Sequence, residues 1–227
     1  MNKLLLLPFC FFCLSSCAQK DKQNEYGLKV IDTKVEYIKS YTANSDKQLV
    51  EIRKVIPDIV LDIRYATTRN FMKQVMYSEG KAFARKPVVG QLKKIQEELR
   101  KKGYGLKIFD AYRPYAVTVA FYQKASDKNF VANPAKGSKH NRGCAVDLTL
   151  IDLKTGRDIP MPTPYDSFAP AAAPHYANLP VKLIKNRDFL INTMQAHGFK
   201  VIYNEWWHFD FKGWQGYELM DIPFTML

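Results

Sequence analysis

Cysteine is scarce in this 227-residue chain: there are four, and three of them, Cys10, Cys13 and Cys17, crowd the N-terminus. If that segment is removed or modified, Cys144 stands alone and no intrachain disulfide can staple the fold, so stability must come from a core or a metal. Long apolar runs are also missing. The longest candidate, Leu4 to Leu14, is too short to cross a bilayer. No internal repeat is visible, so the chain is not read as an array. The basic residues are scattered rather than gathered on an aromatic platform, which leaves no signature of nucleic-acid binding. Histidine is limited to four positions, His140, His175, His197 and His208.

What is present is enough for a folded enzyme-sized domain. A hydrophobic content of 47% over this length allows a real core and one domain, or at most two. The net charge of +12 favours anionic surroundings such as cell-wall polymers or lipid headgroups, although a solvated basic surface with no partner explains it equally well. Lys3 followed by the run Leu4 to Leu14 reads as the core of a secretory signal. Leu14-Ser15-Ser16-Cys17 resembles the bacterial lipoprotein signal, which implies that Cys17 carries lipid and begins the mature chain. Several acyl chains on one residue hold a membrane firmly where one binds only marginally. An ordinary cleaved signal with an incidental cysteine is the alternative. The expected organisation is therefore a signal peptide over 1–16, a polar tether over 17–48 with a short alternating piece near Lys34 to Ile38, and a catalytic-sized domain over 49–227, lipid-anchored at the bacterial cell envelope and facing either the periplasm or the outside.

Periodicity predicts the elements of that domain. Pro87 to Lys102 reads as a helix, with proline at its start, Val88, Leu92, Ile95 and Leu99 at helical spacing, and Gly103 as a stop. Leu106 to Phe109 reads as a strand and Pro114 to Lys124 as a helix. Cys144 to Leu150 alternates, with Val146, Leu148 and Leu150 on one face and Ala145, Asp147 and Thr149 on the other. Lys154 to Arg157 is a hairpin-type turn that favours an antiparallel partner. A long Pro/Ala-rich connection, Pro160 to Pro180, precedes a helix over Val181 to His197 that stops at Gly198, and strands follow at Lys200 to Tyr203 and about Trp206 to Lys212. The fold class expected is α+β: a small, mostly antiparallel sheet with helices packed on one face and the metal ligands on the other.

Three stretches carry chemistry. In SKHNRGCAVDLTL, His140 and Asp147 precede and enter a strand; in NEWWHFDF, Glu205 stands three residues before His208; in FDAYRP, Arg113 sits between a strand and a helix. A catalytic zinc site takes three His or carboxylate ligands and leaves one position for water, and His140, Asp147 and His208 could supply that set. Singly, each has a plainer explanation as a surface or hydrogen-bonded group. A carboxylate near such a centre can accept a proton from water, and Glu205 is placed for this if it lies on the turn before the strand. A buried aromatic edge with a salt-bridged glutamate is the plainer reading there. Arg113 offers a rigid fork of donors suited to an oxyanion, and Asp110 could orient it; a simple Arg113–Asp110 pair is the alternative. His197 suits a helix C-terminus, and His175 is left outside the site.

Taken together, FDAYRP, SKHNRGCAVDLTL, MPTPYDSF and EWWHFDF resemble the VanX-like D-alanyl-D-alanine dipeptidases, zinc peptidases related to D,D-carboxypeptidases, in order and approximate spacing; DIRYATTRNF and NRDFLINTMQAHGF are similar to family segments as well. The resemblance covers about residues 50 to 215. The pattern met by Ser138, His140, Gly143, Ala145 and Asp147 is shared with the carboxypeptidases, whereas Glu-Trp-Trp-His is the dipeptidase form. The resemblance implies one zinc per chain on His140, Asp147 and His208, Glu205 as general base and acid, Arg113 as oxyanion stabiliser, Asp166 as the holder of the substrate ammonium, and Ser138 as a substrate contact. Two departures, Lys73 and Pro162, stand where family members usually have glycine, beside the expected pocket.

The function expected is hydrolysis of a small D-amino-acid dipeptide such as D-Ala-D-Ala by metal-activated water. A D,D- or L,D-carboxypeptidase acting on peptidoglycan stem peptides is one alternative. A non-catalytic lipoprotein that binds wall fragments around a structural zinc is another; Glu205 and Arg113 argue against it, because a clamp needs neither.

Overall fold

The computed structural model describes residues 23–227. The expected signal peptide and the lipidation residue Cys17 lie outside them. In chain order the elements are β1 (Val30–Ile31), α1 (Lys34–Ala43), β2 (Leu49–Glu51), α2 (Ile52–Val55), β3 (Val60–Leu61), β4 (Phe83–Arg85), α3 (Lys86–Arg100), β5 (Tyr104–Asp110), α4 (Tyr115–Lys124), β6 (Ala145–Asp152), α5 (Val181–Ala196), β7 (Phe199–Val201), β8 (His208–Phe211) and β9 (Leu219–Met220).

The α+β expectation holds. The main sheet has the order β3-β5-β6-β8-β7; β3 runs parallel to β5 and every other neighbour is antiparallel. Leu106 and Ile108 of β5 pair with Leu150 and Leu148 of β6, so these four side chains share one face. The helix α3 packs against β5, with Leu92, Ile95 and Leu99 in its buried stripe, and α5 packs against β7. The helix α4 differs. Its Phe121 lies against Tyr65 and Phe71, on the flank of the cavity described below.

Strict alternation along β5 would send Asp110 to the core with Ile108. A register shift between Ile108 and Asp110 instead sets Asp110 opposite Asp147, and bulges of this kind re-aim side chains next to functional sites.

Two expectations need correction. The stretch 17–48 is not a free tether in its described part: β1 pairs in parallel with β9, and the piece near Lys34 to Ile38 is the helix α1, whose Tyr37 is buried and accepts a hydrogen bond from Leu49 N. Thr33 caps the start of this helix, its hydroxyl oxygen accepting from Glu36 N and its O–H donating to Glu36 Oε2. Burial of Ile31 and Tyr37 in the core holds the segment down. The turn after β6 leads to a single bridge, Ile151 to Asp158, rather than to a paired strand; the antiparallel partners of β6 are β5 and β8, which are distant in sequence.

Among the described residues no helix is long and apolar enough to cross a membrane.

Candidate active site

The central strand β6 sets the site. Asp147 projects from it, and antiparallel register places His208 of β8 directly opposite. His140 comes from the short turn His140–Arg142 just before β6. The chain leaves that turn through Gly143 at φ 67°, a left-handed conformation that disfavours side chains, and a Cβ there would lie 2.6 Å from Leu49 Cδ2. Asn141, fully buried, locks the turn: its amide donates to Arg113 O and Thr118 Oγ1, and its carbonyl accepts from Ser138 N. Arg113 N also donates to His140 O, so FDAYRP and SKHNRG form one rigid unit.

The three donor atoms face one point. His140 Nε2 lies 3.1 Å from His208 Nδ1 and 3.3 Å from Asp147 Oδ1, and His208 Nδ1 lies 2.9 Å from the same oxygen. A tetrahedral zinc with bonds of about 2.0–2.1 Å has ligand-to-ligand edges of roughly 3.3 Å, so the spacing fits. The far ring nitrogens are occupied. His140 Nδ1 lies 2.6 Å from Ala111 O and His208 Nε2 lies 3.0 Å from Asp210 Oδ1, acceptors that hold the ring protons outward and leave Nε2 and Nδ1 free as ligands. Asp147 Oδ2 accepts from the Tyr165 hydroxyl, whereas its buried Oδ1 has no hydrogen-bond partner. A buried oxygen without a partner beside two ring nitrogens is a donor set that could hold a cation. Burial opposes ionisation of Asp147, but His140 and His208 hold its carboxyl well below the usual range. Burial likewise opposes charge on His208, and the neighbouring carboxylates of Asp147 and Asp210 outweigh it, raising the imidazole to about 10 in the metal-free chain.

A cavity of about 290 Å³ opens on these donors, and Arg113, Ser138, His140, Asp147, Asp166, Glu205 and His208 all line it. Every predicted site residue within the described chain is thus brought to one place. Glu205 sits before β8, off the ladder, with a carboxylate oxygen 3.8 Å from His208 Nδ1; burial is the main cause that pushes its carboxyl up to about 7. The Arg113 guanidinium donates twice to Asp110 Oδ2, at 2.7 and 3.0 Å, and stacks over Phe121 at 4.7 Å. Burial acts against its charge, yet Asp110 keeps it firmly protonated. Asp166, at φ 60°, lies 3.0 Å from the Tyr65 hydroxyl through both carboxylate oxygens; burial first, and the charge of Asp147 second, raise it to about 8. Ser138 accepts from His140 N through its hydroxyl oxygen.

Sequence reasoning passed over the groups that hold this set. Tyr65 faces Asp166, Tyr165 bonds Asp147 and stacks on Phe109, Tyr77 donates to Asp110, and Asp210 orients His208. Only Asp210 had a visible signal, two residues after a candidate ligand on the same strand face. Trp206 braces the long loop by donating from Nε1 to Thr163 Oγ1 and from its backbone to Ala172 O. His197 bonds Glu98, and His175 is exposed in the loop; neither enters the cavity. Lys73 stands at φ 55°, a left-handed conformation that favours glycine.

A profile of the D-ala-D-ala dipeptidase family, peptidase M15, matches residues 45–221. The D-alanyl-D-alanine dipeptidase of Escherichia coli (strain K12) is 29% identical over 178 residues, spanning 78% of this chain and 92% of that protein. The dipeptidase of the same name from Enterococcus faecium is 29% identical over 180 residues, 69% of this chain and 87% of its own. Among solved structures, the LdcB LD-carboxypeptidase overlays loosely, with a TM-score of 0.38 and 19% identity over 59% of this chain and 61% of that one. With a buried His-Asp-His donor set at the floor of its cavity and a family match across most of its length, this chain belongs to the M15 family of D-Ala-D-Ala dipeptidases and is a peptidase.

Proposed function

We propose that the protein is a zinc-dependent dipeptidase that hydrolyses D-Ala-D-Ala-type dipeptides in the bacterial envelope, anchored by lipid at Cys17 after loss of residues 1–16. The observation that carries the reading is the orphaned Oδ1 of Asp147, 2.9 and 3.3 Å from two histidine nitrogens, in one cavity with Glu205 and Arg113. The anchor rests on the Leu14-Ser15-Ser16-Cys17 signal alone.

His140, Asp147 and His208 would hold the ion. When bound, zinc supplies Lewis acidity and lowers the pKa of water toward neutrality. Glu205, half-buried and raised toward neutrality, takes the proton of the attacking water and returns it to the leaving amine nitrogen, so the amide bond breaks with no net gain or loss of protons by the protein. Arg113, held by Asp110 and sandwiched against Phe121, donates to the oxygen that gains charge. Asp166 accepts the substrate's ammonium, and the Ser138 hydroxyl contacts the substrate. A free amine close to the scissile bond is what separates a dipeptide from a longer stem peptide, and a carboxylate in the same cavity favours the dipeptide.

The test combines metal analysis with hydrolysis of D-Ala-D-Ala and N-acetyl-D-Ala-D-Ala by the purified protein. One zinc per chain and turnover of the free dipeptide alone are expected. Faster turnover of the N-blocked substrate would move the assignment to carboxypeptidase, and bound metal without turnover of either would end the enzymatic reading.

A further inference from the structure

Asp166 borders two cavities. Beyond the catalytic one lies a second, of about 250 Å³, where the other charged walls are Arg64, Arg69 and Lys73, all cationic. Arg64 lies 2.8 Å and Arg69 3.5 Å from one shared carboxylate, Asp62, while Lys73 makes no ion pair or side-chain hydrogen bond among the described residues. The wall is braced. Buried Asn70 donates from its amide to Arg64 O, Thr67 O and Gln74 O, which fixes the loop that presents the three cations. Lysine occupies φ 55° at position 73, a conformation that costs a side-chain-bearing residue about 1 kcal/mol or more, so this cation is kept where glycine would sit without strain.

The consequence follows from substrate chemistry and rests on Asp166 as the amine anchor. In a dipeptide the ammonium and the first side chain leave the same carbon, so a side chain that passes Asp166 enters the cationic cavity. With the ammonium neutralising Asp166, the remaining charged walls are Arg64 and Arg69, which share Asp62, and Lys73, which has no acidic partner among the described residues. We propose that this cavity receives the side chain of the substrate's N-terminal residue and selects a carboxylate there, making dipeptides with an acidic first residue preferred over neutral ones of the same size.

The comparison that isolates charge from size is D-Glu-D-Ala against D-Gln-D-Ala, with D-Ala-D-Ala as reference, on the zinc-loaded protein. The acidic dipeptide should lead its amide isostere by about tenfold in kcat/KM, the scale of one charge-assisted contact, and the lead should shrink as salt is added. In the Lys73→Gly/Arg69→Ala variant the two should approach parity, with D-Ala-D-Ala turnover unchanged. Equal or slower hydrolysis of D-Glu-D-Ala by the unaltered protein overturns the inference. The same pair is compared in binding by calorimetry on the Glu205→Gln protein, so a protein that hydrolyses nothing still decides it: tighter D-Glu-D-Ala binding keeps the cationic cavity and removes only the dipeptidase reading, and equal or weaker binding removes the cavity's role.

Discussion

Replacing Asp166 by asparagine should stabilise the metal-free protein while impairing it as an enzyme. The Asp166 carboxyl is half-buried at the cavity wall, faces the charge of Asp147, and holds its proton up to about 8 in the folded chain. An unfolded aspartate releases it near 3.9. Between those values the unfolded state sheds a proton that the folded state keeps, so folding is opposed increasingly as pH rises from about 4 to about 8, and the opposition is constant above that. At 1.36 kcal/mol per unit, the penalty reaches on the order of 4 kcal/mol at pH 7 and is nearly absent at pH 4. Asparagine keeps an acceptor for the Tyr65 hydroxyl and removes the titration. For a chain of this length the difference corresponds to roughly 10 °C in melting temperature. The assay is thermal unfolding of chelator-treated Asp166→Asn and unaltered protein from pH 4.5 to 8.5, read as the difference at each pH. The advantage of the variant should grow with pH, while its kcat/KM on D-Ala-D-Ala drops by about 10- to 100-fold, because the substrate ammonium draws the proton off Asp166 and asparagine offers no charge to pair with it. A difference that is flat in pH, or a variant less stable at pH 8, refutes the placement of a strained, protonated carboxyl at this wall.

Other perturbations separate the remaining roles. Glu205→Gln should lower kcat by about 10²- to 10⁴-fold with metal content unchanged, measured by steady-state kinetics and elemental analysis; near-normal turnover removes Glu205 as the proton carrier. Asp210→Ala frees the outer nitrogen of His208 and should weaken zinc by about 10- to 100-fold in chelator competition, whereas unchanged affinity would show that Asp210 does not orient the ligand. Cys144, whose thiol burial drives up to about 12, should resist thiol reagents at pH 8 until the protein is denatured, and rapid native labelling would contradict its burial.

What the sequence by itself determined is the set of polar candidates that meet at the cavity and the frame of the larger elements. Ser138, His140 and Asp147 announce themselves through a local pattern that runs from a turn into an alternating strand, and Glu205 and His208 through a spacing that forces one of them off that strand. The stripe Val88, Leu92, Ile95 and Leu99 and the alternation of β6 were legible because burial repeats at 3.6 and 2 residues. Tertiary structure alone decided the rest. The β5 bulge turns Asp110 toward Asp147, and no periodicity signals one extra residue. Tyr65, Tyr77 and Tyr165 read as ordinary core aromatics until their hydroxyls meet Asp166, Asp110 and Asp147 across separations that no local pattern encodes. The segment before residue 49 looked like a tether because its polar residues outnumber its apolar ones; two buried side chains, Ile31 and Tyr37, and pairing with β9 near the other end of the chain hold it down. Which residues were candidates for chemistry could be read from short-range spacing and the family resemblance; which partners hold them depends on contacts between distant strands, made only once the core has formed.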